Sequence, residues 1–172
     1  NQAVREETGR QFGADGVEIS AHGMCAADHE PYQGKQMSNE AFEKLQGSLH
    51  RRIGIWNCGH RTFSIVLGVS SPAYSKRDLK AMYDENHAPV TYNGKTYATK
   101  YEATQEQRKI ETAIRYGEDV KTMAAASGDT VLASEMEAKI KAMNLEYRKF
   151  SNSAGLQTRR DRIRDARKRW AT

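Results

Sequence analysis

From Thr99 to Phe150 the chain contains no proline, and a single turn signal, Ser127-Gly128-Asp129, divides that stretch in two. Ahead of the turn, Thr99 stands three residues before Glu102. That is the spacing of a capping box, in which hydroxyl and carboxylate satisfy the first free N–H groups of a helix. Ile110, Ala113, Ile114 and Val120 then recur at helical spacing to about Ala126, and Gly117 weakens this helix without ending it. Beyond the turn, Leu132, Met136, Ile140, Met143 and Tyr147 repeat the pattern. Two long helices joined by so short a turn pack antiparallel. Residues 99–150 are therefore predicted to be a helical hairpin.

The residues before it read differently. Residues 1–12 resemble the end of an upstream helical region closed by Gly13 and Gly16, and Val17 to Ser20 alternates like a short strand. Ala21 to Lys35, with Gly23, Pro31 and Gly34, is a loop. Ser38-Asn39-Glu40-Ala41 opens a helix with Phe42, Leu45 and Leu49 on one face, ending near His50. Ile53–Cys58 and Thr62–Leu67 are β-favouring runs around Gly59-His60 and predict a hairpin. Ser75 and Asp78 cap a helix that stops before Pro89. Asn93-Gly94 between Val90-Thr91-Tyr92 and Lys95-Thr96-Tyr97 is a hairpin turn needing positive φ twice. The fold class is α+β: an upstream helix end (1–16), a small antiparallel-sheet domain (17–98), the helical hairpin (99–150) and a basic C-terminal helix or tail (151–172).

Charge is concentrated in that tail. Arg159, Arg160, Arg162, Arg164, Arg167, Lys168 and Arg169 stand against Asp161 and Asp165, which accounts for the whole net charge of +5. Clustered cations gain from counterion release on a phosphate backbone, so double-stranded DNA is one expected partner; an acidic protein surface is the other. Two cysteines in 172 residues do not make a secreted disulfide scaffold. No apolar run is long enough to span a bilayer. A chain that begins with Asn1 reads as a fragment or a processed product.

Chemistry gathers in two loops. His22, Cys25 and His29 occupy one, Cys58 and His60 the other, and two such elements on neighbouring strand ends can close a tetrahedral zinc site. The same residues allow a catalytic reading: His22 or His29 as general base, His60 as acid, and Gln33 or Asn57 polarising a phosphate, as in metal-free RNA cleavage. Cys58 paired with His60 as a nucleophile is a weaker arrangement, and hydrogen-bonded histidines bracing irregular backbone are the bland alternative. Gly34 lacks the companions of a phosphate loop and reads as a turn glycine. Glu102, Glu106, Glu111 and Asp119 lack the Glu-x-x-His pairing of bundle metal sites and read as a solvated helix face.

Val17-Glu18-Ile19-Ser20-Ala21-His22, Ala27-Asp28-His29-Glu30-Pro31-Tyr32-Gln33-Gly34-Lys35-Gln36 and Asn57-Cys58-Gly59-His60 follow one another in this order, ahead of Gly68-Val69-Ser70, Tyr74 and Tyr101-Glu102-Ala103-Thr104-Gln105 with Gln107, Arg108 and Glu111. From Val17 to about Ala154 this order resembles the phage minor capsid protein 2 family, and distantly it is similar to the Mu protein F-like head proteins. The resemblance implies a low-copy virion head protein, made in the bacterial cytoplasm, lying near the portal and capsid interior and bordering packaged DNA. Relatives fused to toxin domains keep open a nuclease-like effector built on His22, His29 and His60. Members carry a small residue where this chain has Cys25, which implies His22, His29, Cys58 and His60 as the zinc set, with Cys25 as a substitute.

Overall fold

The structure is a computed structural model and describes residues 7–9, 11–55 and 58–163. It is α+β, in two compact units, 1–87 and 88–172.

In the first unit a three-stranded antiparallel sheet has the order β2-β1-β3, with β1 Gly16–Ile19, β2 Gln36–Ser38 and β3 Thr62–Ile65. Gly13, at φ +82°, ends the helical residues that precede β1. The central strand is buried on both faces. Val17 and Ile19 pack with Phe42 and Ile53, while Glu18 on the opposite face is covered and accepts from Gln36 Nε2 at 2.9 Å and the Ala73 N–H at 2.9 Å. The polar face of this alternating strand is enclosed as well, because the loop around Ala73 folds over it. Helix α1, Asn39–Ser48, starts at Ser38, whose Oγ accepts the Ala41 N–H, and buries Phe42. Helix α2, Lys76–Asn86, carries the complete reciprocal capping box of Ser75 and Asp78.

The hairpin expected between Ile53–Cys58 and Thr62–Leu67 does not form among the described residues. β3 pairs with β1, at Ile19↔Thr62, and the run at Ile53 is not a strand. The reason is local: the Gln46 side-chain amide donates to the Ile53 carbonyl at 3.0 Å and accepts its N–H at 2.8 Å. Satisfied by a side chain, that backbone needs no strand partner.

In the second unit β4 Val90–Tyr92 and β5 Lys95–Tyr97 form the expected hairpin, with Asn93 at φ 48° and Gly94 at φ 76°. Helices α3, Lys100–Ala126, and α4, Thr130–Ser153, form the expected antiparallel pair. Thr99 caps α3 and Asp129 caps α4. Val90, Tyr97, Ala103, Phe150 and Ala154 share one core cluster, so the β4–β5 hairpin belongs with the helical pair in the second unit. Short two-stranded hairpins need such an apolar backing. Gly117 continues α3 and meets α4 closely: a Cβ there would come within 3.1 Å of Ile140 Cγ1.

Candidate metal centre

Strand register builds the site. Because Ile19 pairs with Thr62 in antiparallel sense, the chain leaving β1 and the chain entering β3 run side by side, and Ser20 and Arg61 bond to each other twice at 2.8 Å. His22, three residues past β1, and His60, two before β3, thus arrive together with ring centroids 4.4 Å apart. The 3-10 turn Glu30–Tyr32 brings its preceding residue His29 against the same ring at 5.5 Å. Asn86 Nδ2 on α2 fastens this loop by donating to the Cys25 carbonyl at 2.9 Å and to Glu30 at 3.0 Å.

His60 is the centre. Its Nδ1 lies 3.2 Å from Cys58 Sγ, which lies 3.3 Å from Nδ1 of His29. Its Nε2 lies 3.5 Å from Cys25 Sγ and 3.3 Å from Gln33 Oε1. His29 is 1% exposed, and its other nitrogen, Nε2, is 2.6 Å from the Arg51 carbonyl. Gln33 Oε1 also accepts the backbone N–H of His22 at 2.7 Å. Nε2 of His22 is buried without a hydrogen-bond partner among the described residues. The ligand atoms of His29, Cys58 and His60 lie within 4.8 Å of one another, as do those of His22, Cys25 and His60. Cys25 is thus a full member of the cluster, and the five His and Cys residues divide into two groups that share His60. Asn57 lies outside the described residues.

Burial sets the protonation of the cluster's own side chains. It depresses His60 to about 3, helped by His22, His29 and Arg51, and it lowers His22, with His29 adding to the effect. The Cys25 thiol is pushed up to about 12 by burial first, then by Glu30, Cys58 and Asp28. His60 is therefore neutral at ordinary pH, the form in which an imidazole binds a metal, while Cys25 holds its proton until a cation displaces it.

The basic segment begins on a second polar cluster. Glu111, expected on a solvated face, is 1% exposed. It accepts the Tyr147 hydroxyl at 2.9 Å and lies 3.7 Å from Arg162 Nη1. The Tyr147 oxygen accepts the Arg159 N–H, and Gln107 Nε2 donates to Ser151 Oγ and to the Gln157 carbonyl, both at 2.9 Å. Helical spacing could not reveal this burial, because the partners of Glu111 come from α4 and from the chain beyond it. Of the other acidic residues, Glu102 bonds the Ala98 N–H and Glu106 pairs with Lys95 and Lys109. Arg159 pairs with Asp161, and Arg160 is exposed. Arg164, Arg167, Lys168 and Arg169 lie outside the described residues.

Among the described residues, no helix is long and apolar enough to cross a membrane. The family model described as phage minor capsid protein 2 matches residues 1–152. No curated protein and no solved structure matches the chain.

Proposed function

The chain belongs to the phage minor capsid protein 2 family, a component of the phage head, and from that premise we propose a low-copy structural role in which a zinc ion on His29, Cys58 and His60 locks the two loops together while the basic tail contacts portal, capsid or packaged DNA. The observation that carries the clamp is the approach of Nδ1 of His29 and Nδ1 of His60 to Cys58 Sγ, at 3.3 and 3.2 Å. A tetrahedral ion with ordinary Zn–S and Zn–N lengths separates such atoms by roughly 3.5 Å. Each nitrogen therefore needs to part from the sulfur by only a few tenths of an ångström. The approach of His29 Nε2 to the Arg51 carbonyl supplies the outer hydrogen bond that fixes a ligating imidazole. The remaining position falls to solvent.

Such a clamp suits this unit, whose 20–35 and 58–61 segments contain no strand and no α-helix. The geometry favours it over hydrolysis. His29 is buried, with one nitrogen on a backbone carbonyl and the other on Cys58, so neither nitrogen is presented to a substrate phosphate.

Elemental analysis of the purified protein, repeated on His29→Ala and Cys58→Ser, tests the clamp. Stoichiometric zinc, lost in both variants together with folding of the first unit, is the expected result. A metal-free wild type would sink the clamp and make a nuclease assay on His22 and His60 variants the next measurement.

A further inference from the structure

The zinc clamp uses only one side of His60. Its Nε2 points the other way, to Cys25 Sγ at 3.5 Å, in a group completed by His22. The two nitrogens of one imidazole diverge across the ring, so a single ion can take only one of them. An ion on Nδ1, beside Cys58, leaves Nε2 and its neighbours unused.

That second side has the features of a site in its own right. Cys25 is 1% exposed and His60 is 3% exposed, so the thiol and the ring face each other away from bulk water. Nε2 of His22 is buried and has no hydrogen-bond partner among the described residues, an arrangement that costs free energy unless something occupies its lone pair. Gly59 leaves the approach open: a Cβ there would stand 3.0 Å from the same nitrogen. A sulfur and two nitrogens, all soft or borderline donors, select zinc-like cations over magnesium or calcium.

We propose that this cluster holds two zinc-class divalent ions bridged by His60, the first on His29, Cys58 and Nδ1, the second on His22, Cys25 and Nε2. This rests on the clamp proposed above. Filling the second position releases the Cys25 thiol proton and the last ring proton of His60 to solvent, leaving a thiolate and a bridging imidazolate. Gln33 Oε1, 3.3 Å from Nε2, is the neighbour that the second ion displaces. Each ion then has one sulfur and two nitrogens, with solvent completing the shell.

The test is metal stoichiometry by native mass spectrometry on the full chain loaded with Zn2+, and again with Co2+, whose thiolate charge-transfer absorption reports each Co–S bond. The wild type should hold two ions. Cys25→Ala and His22→Ala should each hold one, with the Co–S absorption in Cys25→Ala halved, and Cys58→Ala should also fall to one. Should Cys25→Ala fail to fold by circular dichroism, His22→Ala, at a partly exposed position, carries the test. A wild type with one ion, unchanged by Cys25→Ala, would overturn the second site and leave the clamp standing. Two ions unaffected by either Cys25→Ala or His22→Ala would also overturn it. No bound metal would remove both proposals together.

Discussion

The hydroxyl of Tyr147 on α4 donates to Oε1 of Glu111 on α3 across 2.9 Å, and its oxygen accepts the N–H of Arg159 at 2.6 Å. One side chain thereby ties the two helices to each other and both to the start of the basic segment. Ile163 packs on the same cluster of Ile114, Ile140 and Tyr147. The start of the basic segment is thus held on the helical pair through Arg159 and Ile163.

Tyr147→Phe keeps the packing and removes the hydroxyl. The buried Glu111 carboxylate and the Arg159 N–H each lose a partner, so the variant should be destabilised by about 1–3 kcal/mol. The check is urea unfolding of the second unit, in which the midpoint should fall with an unchanged slope. An unmoved midpoint would show that solvent replaces the hydroxyl.

Alkaline pH should erase the same advantage. Burial, reinforced by Glu111, raises the Tyr147 phenol from 10.0 to about 12, against the opposing hydrogen bond from Arg159. The folded state therefore keeps a proton that the unfolded state releases. The stability tied to that proton is full below about pH 10 and is lost as pH rises through about 12. The stability gap between wild type and Tyr147→Phe should accordingly narrow across that window. A gap that stays constant to pH 12 would refute the assignment.

Gln46→Leu tests the side chain that stands in for a strand. The Ile53 N–H and carbonyl both lose their partner in a site that is 1% exposed at Ile53, at a cost of about 1–3 kcal/mol for each group left dry. Hydrogen exchange at the Ile53 amide should accelerate with the loss of stability. Protection equal to wild type would mean that another group satisfies this backbone.

Gly117→Leu should separate the helical pair. With Ile140 Cγ1 already 3.1 Å and Met143 Cε 3.2 Å from an added Cβ, a larger side chain forces rearrangement costing about 1–3 kcal/mol. Gly117→Ala gains up to about 1 kcal/mol of helix propensity against a smaller clash, so its effect should be much less. Thermal unfolding of both variants gives the comparison, and equal midpoints would contradict the close packing.

If the tail binds DNA, replacing Arg164, Arg167, Lys168 and Arg169 by serine should weaken binding to a mixed-sequence duplex. It should also flatten the salt dependence by about 0.9 in log–log slope for each phosphate that is no longer neutralised. Fluorescence anisotropy at several salt concentrations reads both quantities. A wild type that does not bind the duplex would point the tail instead to an acidic protein neighbour.

The parts legible from sequence were those decided within one or two turns of chain. Ser75 with Asp78, Thr99 with Glu102, and Asn93-Gly94 specify their caps and turn through groups three or four residues apart. The two long helices follow from uninterrupted periodicity. The candidate metal residues were visible too, because both Cys and three of the five His fall in two short loops. Their grouping was not: His29 meets Cys58 across 29 residues and Cys25 meets His60 across 35, distances bridged only by the register of β1 on β3.

Local hydrogen bonding and apolar spacing thus suffice for the helical hairpin, the capped starts and the inventory of donors. It took packing within each unit to join β3 to β1, to set Gln46 on the backbone at Ile53, to bring Glu111 inside, and to choose which sulfur faces which nitrogen of His60. Glu111 with Tyr147, His29 with Cys58 and Cys25 with His60 are buried polar groups whose partners lie 29 to 36 residues away, and even Gln46 reaches seven residues on to Ile53. No local pattern encodes that choice, because the partner is selected by what packing brings within reach.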